Sequence, residues 1–170
     1  MMNLKYPLIA FALSNIAWFG DAVALNVGDA APIVTLPTST PATTVDLAKL
    51  KGKIVYVDFW ASWCGPCKQS FPWMNDMHAK YAARGVEFVA INVDSKRTDA
   101  ERFLATTPAK FTVAFDAKGL TPKQFAVKAM PTSYLIDGDG KVLHVHAGFR
   151  EADRVALEAA IGNALTQQKK

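Results

Sequence analysis

The chain has 170 residues, 51% of them hydrophobic and 20% charged, with a formal net charge of +4. That is enough apolar material for a core that does not depend on disulfides, so a cystine-stapled miniprotein is excluded, and one domain plus an appendage is the natural organisation. Lysine and arginine are scattered, with no aromatic-basic stripe, which argues for solubility and against a nucleic-acid surface.

The first 24 residues read as an export signal. Lys5 supplies the positive end, Leu8 to Phe19 the apolar stretch, and Ala22-Val23-Ala24 a small-residue cleavage site. The apolar stretch is about a dozen residues, short of the roughly 20 needed to span a bilayer. The expected division is therefore residues 1–24 as signal peptide, or as an anchor if uncleaved, and 25–170 as a single domain. The chemistry then lies outside the cytoplasm, in a periplasm or similar compartment, with the protein soluble after cleavage.

The domain opens with a short strand, Ile33 to Leu36, a loop rich in Thr, Ser and Pro, and a partner strand, Val45 to Leu47. Leu47 to Leu50 makes one helical turn closed by Gly52. Ile54 to Trp60 is apolar at nearly every position and reads as a buried strand. A helix follows from Cys64 to about Ala83, bent by Pro72 and stopped by Gly85. Val86 to Val93 is a second buried strand. Thr98-Asp99-Ala100-Glu101 predicts a capping box opening a helix to Thr106. Phe111 to Phe115 is a strand, and Thr121-Pro122 opens a short helix. Thr132 to Ile136 and Lys141 to His146 form a hairpin across Asp137-Gly138-Asp139-Gly140. Glu151 to Thr166 is an amphipathic helix with Val155, Ala159 and Leu165 on its apolar face, followed by a frayed tail, Gln167 to Lys170. Strand-helix-strand units give parallel pairs and the hairpin an antiparallel edge. The fold class is α/β, a mixed central sheet with helices on both faces.

The two cysteines, Cys64 and Cys67, stand three residues apart where the central strand hands over to its helix. Free backbone N–H groups and the positive end of the helix dipole favour an anion there. Cysteines in such settings have pKa values lowered from about 8.5 to about 3.5–7.5. A disulfide closing so small a ring adds only about 2 kcal/mol of stability. The pattern therefore points to redox chemistry. A structural zinc site needs four ligands, and His78, His144 and His146 lack the spacing to complete one. His144 and His146 share one strand face, and a two-histidine copper site is weaker there than solvated histidines. Asp137 and Asp139 lack the further oxygen ligands of a calcium loop. No metal or cofactor is expected beyond the Cys64–Cys67 pair itself. Asp58, a carboxylate in an apolar strand, should have a raised pKa and can exchange a proton with Cys67.

Trp63-Cys64-Gly65-Pro66-Cys67-Lys68, preceded by Asp58-Phe59-Trp60 and followed by Pro72, resembles the thioredoxin active site. Met130-Pro131-Thr132 is similar to the cis-proline loop of that fold. Val27 to Pro32, Leu47 to Lys53 and Ser133 to Gly140 resemble the TlpA/ResA-like thioredoxins of the bacterial envelope. The resemblance implies a thioredoxin fold with an N-terminal β-hairpin extension and dithiol–disulfide exchange. Cys64 would attack, Cys67 resolve and Asp58 move the proton. Trp63, Gly65, Pro66, Met130 and Pro131 would meet the substrate, with Pro131 cis. Gly65-Pro66 goes with reducing members. Where relatives carry an acid near the cysteines this chain has Gly65 and Ser70, and the lysine that neighbours the buried acid in thioredoxins falls at Ala90. The implied partners are protein disulfides and a membrane thiol reductant. The expected protein is a monomeric envelope reductase serving cytochrome c maturation or copper-site assembly. A disulfide-forming oxidase, a thiol peroxidase and a Cu(I) metallochaperone using the same cysteines remain as alternatives.

Overall fold

The computed structural model describes residues 25–168. The expected signal or anchor segment and its cleavage site lie outside the described residues, as do Lys169 and Lys170. Five strands form one sheet in the order β5-β4-β3-β6-β7. They are β3 (Ile54–Trp60), β4 (Val86–Asn92), β5 (Thr112–Phe115), β6 (Thr132–Ile136) and β7 (Val142–Ala147). β3 runs parallel to β4, and β4 to β5. β6 lies antiparallel to both β3 and β7. The C-terminal ends of β3, β4, β5 and β7 and the start of β6 therefore share one end of the sheet.

The strand periodicity divides the core in two. Ile54, Tyr56 and Trp60 face a cluster built with α1 (Gly65–Tyr81), α2 (Arg97–Thr106) and α4 (Arg154–Gln168). Val55, Val57 and Phe59 face a second cluster with Val34, Leu36 and Phe125. Phe125 follows the short α3 (Thr121–Gln124), which has Pro122 in its first turn as expected. A separate hairpin, β1 (Thr35–Pro37) with β2 (Thr44–Asp46), is the predicted N-terminal extension. Ser39 N donates to Val113 O at 2.9 Å and stitches this hairpin to the edge of β5.

Four local expectations are corrected. The first strand is Thr35–Pro37 and not Ile33 to Leu36, and Ile33 is exposed. α2 begins at Arg97, with Lys96 at its N-cap and no side-chain cap. Thr98 is thus already helical and cannot cap. An Arg97–Glu101 ion pair spanning one turn, and Arg97 stacked 4.2 Å over the Phe115 ring, carry the helix one residue upstream. In α4, Val155 is 81% exposed and Ala159 is exposed too, while Leu157, Ile161, Ala164 and Leu165 are buried. This second set has spacing i, i+4, i+7, i+8 and holds three large aliphatics, so it wins the core-facing stripe. Finally, Gln167 and Gln168 are not frayed: α4 includes both, and the Gln168 amide donates to Gly52 O.

Candidate functional site

β3 ends at Trp60, and four residues later Cys64 occupies the N-cap of α1 in extended conformation. Its Sγ accepts a hydrogen bond from Cys67 N at 3.2 Å, so the sulfur serves as the capping acceptor. The cysteines are joined as a disulfide, with S–S 2.02 Å and Cα–Cα 5.3 Å. Cys64 is 5% exposed and Cys67 fully buried. Only the first sulfur is thus open to an incoming partner. Gly65 leaves its surroundings open, with nothing within 4 Å of where a Cβ would stand. Pro66 lies in the first turn, where its missing N–H costs no helical bond. α1 runs through Pro72 as one continuous helix.

The loop between strand and helix is fixed by groups that the sequence reading missed. Asp94, 5% exposed, accepts from Ser62 N at 2.9 Å, Ser62 Oγ at 3.0 Å and Asn92 Nδ2 at 2.8 Å. Asn92 Oδ1 in turn accepts from Asp94 N. The signal was present as a polar Asn92-Val93-Asp94 step at the end of an apolar strand, at the end of the sheet that holds the cysteines. Below it, Trp60, Phe71 and Phe103 pack with ring centroids 4.8–5.1 Å apart and tie β3, α1 and α2 together. Trp63, by contrast, is 70% exposed beside Cys64. The two tryptophans thus separate as expected, Trp60 into the core and Trp63 onto the rim.

Asp58 is 2% exposed and lies between Tyr56 and Trp60 on the β3 face that α1 covers. Its Oδ2 has no hydrogen-bond partner. Desolvation pushes the carboxyl well above the ordinary aspartate range. Its strand neighbours are Ala90 on β4 and the buried Ser133 on β6, so no cation offsets the burial from either side. Tyr56 is also held in its neutral form, first by burial and then by the nearby Asp58 charge. Burial thus favours the protonated form of this carboxyl, on the β3 face that α1 covers.

The loop entering β6 brings Met130 and Pro131 to the same sheet end. The Met130–Pro131 peptide is cis. Pro131 is buried and its carbonyl accepts from Gly148 N at 2.7 Å. Met130 is half-buried and packs on the cluster containing Cys64 and Cys67. Thus Trp63, Gly65, Pro66, Met130 and Pro131 are gathered around the cysteine pair, with Asp58 beneath. Of the histidines, His146 stands two strands from Asp58, in register with Ser133 on β6. His144 and His146 stack on β7 with centroids 6.3 Å apart, and His146 Nε2 is 3.3 Å from Asp153. Among the described residues no group of three or more His, Cys, Asp or Glu side chains is placed to share a metal ion.

Comparison with known proteins fits this arrangement. The Redoxin family profile matches residues 26–161. The thiol-disulfide oxidoreductase ResA of Bacillus cereus is 36% identical over 126 residues, covering 74% of this chain and 72% of the relative. ResA of Bacillus subtilis is 33% identical over 132 residues, with 78% and 73% covered. Among solved structures, a Chlorobium tepidum protein assigned as thiol:disulfide interchange protein DsbE is 58% identical. It superposes with a TM-score of 0.81 over 84% of this chain and 99% of that one. With the sheet order, the disulfide at the helix start and these relatives in agreement, the chain belongs to the Redoxin family as a thioredoxin-fold, ResA-like thiol:disulfide oxidoreductase.

Proposed function

We propose that this protein is an exported reductase of protein disulfides, with Cys64 as nucleophile, Cys67 as resolving thiol and Asp58 as proton carrier. In the dithiol form the Cys64 thiolate attacks one sulfur of a substrate disulfide. A mixed disulfide forms and the other substrate sulfur leaves as a thiolate, to be protonated. Cys67, its proton passed to the ionised form of Asp58, attacks the Cys64 sulfur and expels the second substrate sulfur as a thiolate, which is then protonated. Two electrons have moved to the substrate, and Cys64–Cys67 is left as the disulfide. A dithiol reductant at the membrane returns it to the reduced state. Trp63 and the Met130–Pro131 ledge receive the substrate segment, the latter by pairing backbone with an extended chain.

The observation that carries this reading is the asymmetry of the pair: Cys64 slightly exposed as helix cap, Cys67 fully buried, with an unpartnered buried carboxyl on the β3 face that α1 covers. The printed names of the ResA and DsbE relatives support the reaction class. The Gly65-Pro66 dipeptide supports the reducing direction. Cytochrome c maturation or copper-site assembly in the bacterial envelope is the setting that the ResA-like resemblance and the Leu8 to Phe19 apolar stretch suggest.

The deciding experiment is the reduction potential of Cys64–Cys67, with the kinetics of Asp58→Asn beside it. A potential near about −270 mV is expected, and one near about −120 mV would identify an oxidant instead. Asp58→Asn should slow resolution of the mixed disulfide on the order of 10²-fold near neutral pH. Unchanged resolution across pH 6–9 would remove Asp58 from the mechanism.

A further inference from the structure

The sheet end that carries the disulfide also carries exposed positive charge that belongs to no ion pair among the described residues. The exposed and half-buried carboxylates there are ion-paired with arginines, and Asp94 and Asp116 are buried. Asp94 is taken by Ser62 and Asn92, and Asp116 by the Thr121 N–H and hydroxyl. Asp99 pairs with Arg102, Glu101 with Arg97, Asp153 with Arg150 and Glu151 with Arg154. Lys68, Lys96 and Lys128 are exposed and belong to no ion pair of the described residues. Lys68 is in the first turn of α1, directly after Cys67. Lys96 is the N-cap of α2, on the other side of the Ser62–Asp94 tie. Lys128 stands two residues before Met130, on the loop that enters β6. The three lysines thus stand on three separate segments at this end of the sheet, within two residues of Cys67, Asp94 and Met130 respectively.

A hollow of about 430 Å³ lies between α1 and α2 beside Cys64, lined by Trp63, Gly65, Lys68, Phe103 and the Asp99–Arg102 pair among others. It combines aromatic faces with a cation that has no partner. Gly65, which adds no charge or bulk, leaves the approach to Cys64 open.

We propose that this face selects protein disulfides flanked by acidic residues, with Lys68, Lys96 and Lys128 as the specificity-determining side chains. The inference rests on the reductase reading above and names its substrate class. Substrate carboxylates on either side of the scissile disulfide meet these lysines, while Trp63 covers an apolar neighbour. Attraction over the few ångströms outside the surface raises the encounter rate, and like-charged segments are turned away. Salt weakens the selection, since exposed charges are screened beyond about 8 Å at physiological ionic strength.

The test uses the reduced protein and two synthetic peptides, each with one internal Cys-Ser-Ser-Cys disulfide, flanked on both sides by two Glu in one and two Lys in the other. At low salt, the second-order rate constant for single-turnover reduction of the Glu peptide should exceed that for the Lys peptide on the order of tenfold, and the ratio should fall towards one in 0.5 M NaCl. The triple variant Lys68→Glu/Lys96→Glu/Lys128→Glu should reverse the preference. Lys51→Glu, at the opposite end of β3, should keep it. The salt response of the unaltered protein gives the answer even if the triple variant does not fold. Equal rates for the two peptides at low salt would overturn the proposal and leave the reductase reading standing. Reduction of neither peptide would overturn both. Binding to phosphatidylserine vesicles without peptide discrimination would assign the lysines to a lipid surface and so also overturn it.

Discussion

A buried carboxyl without a partner is the residue that most needs a reason in this molecule. Asp58 sits in the middle of a strand whose every residue is buried, and its Oδ2 meets no donor. The folded state therefore holds its proton to a higher pH than the unfolded chain does. Between the ordinary aspartate pKa of about 3.9 and the raised folded value, the folded form binds more protons, so stability falls as pH rises. Asp58→Asn removes this term. At pH 7 it should stabilise the protein, by roughly 1.4 kcal/mol for each unit by which burial raises the carboxyl pKa up to that pH. The gain should vanish below about pH 4, where both states are protonated. Thermal unfolding of the two proteins from pH 3 to 8 checks this, and a gain that persisted at pH 3 would mean that the carboxyl is not the cause. In the proposed mechanism this carboxyl carries the proton, so the same substitution is expected to slow resolution.

At the scale of elements, α4 shows how a helix chooses its face. Two apolar patterns compete in its sequence. Val155 and Ala159 make one, and Leu157, Ile161, Ala164 and Leu165 the other, with the second buried against β3 and α1. Truncation should follow burial and not hydrophobicity. Ile161→Ala should cost about 2–5 kcal/mol, through lost transfer energy and the cavity left behind. Val155→Ala, at an 81% exposed site, should change stability by less than about 0.5 kcal/mol. Urea unfolding midpoints compare the two directly, and equal costs would place Val155 in a contact that the monomeric chain does not explain.

For the whole molecule, the question is what the disulfide does for the fold. It closes a sequence separation of only three residues and lies at the edge of a core already tied by Trp60, Phe71 and Phe103. Reduction should therefore lower unfolding free energy by only about 2 kcal/mol and leave a single cooperative transition. Denaturant unfolding with and without reductant measures this. A loss of more than about 5 kcal/mol would make the bond a structural staple. A fold that stands in both redox states is what a carrier of electrons requires.

The sequence alone determined the parts whose signal is local. β3 has the boundaries read from its apolar run, because a strand buried on both faces needs no information from its neighbours to be recognised. The cysteine spacing, the Gly85 stop in left-handed conformation and the hairpin across 137–140 are of the same kind. So were the chemical candidates Cys64, Cys67 and Asp58, since a strand-to-helix junction and an acid among apolar residues are visible in one dimension. Tertiary structure decided what depends on distant partners. It chose between the two stripes of α4, and it started α2 at Arg97 because the ring of Phe115 lies beneath it. It brought Asp94 to Ser62, 32 positions away, and so fixed the loop that carries Cys64. It also sorted the charges: ion pairing and burial take up the nearby carboxylates and leave Lys68, Lys96 and Lys128 exposed and unpaired at the sheet end that carries the disulfide. Local propensity is written in neighbouring residues, whereas burial, pairing and net field arise from contacts between segments that only folding brings together.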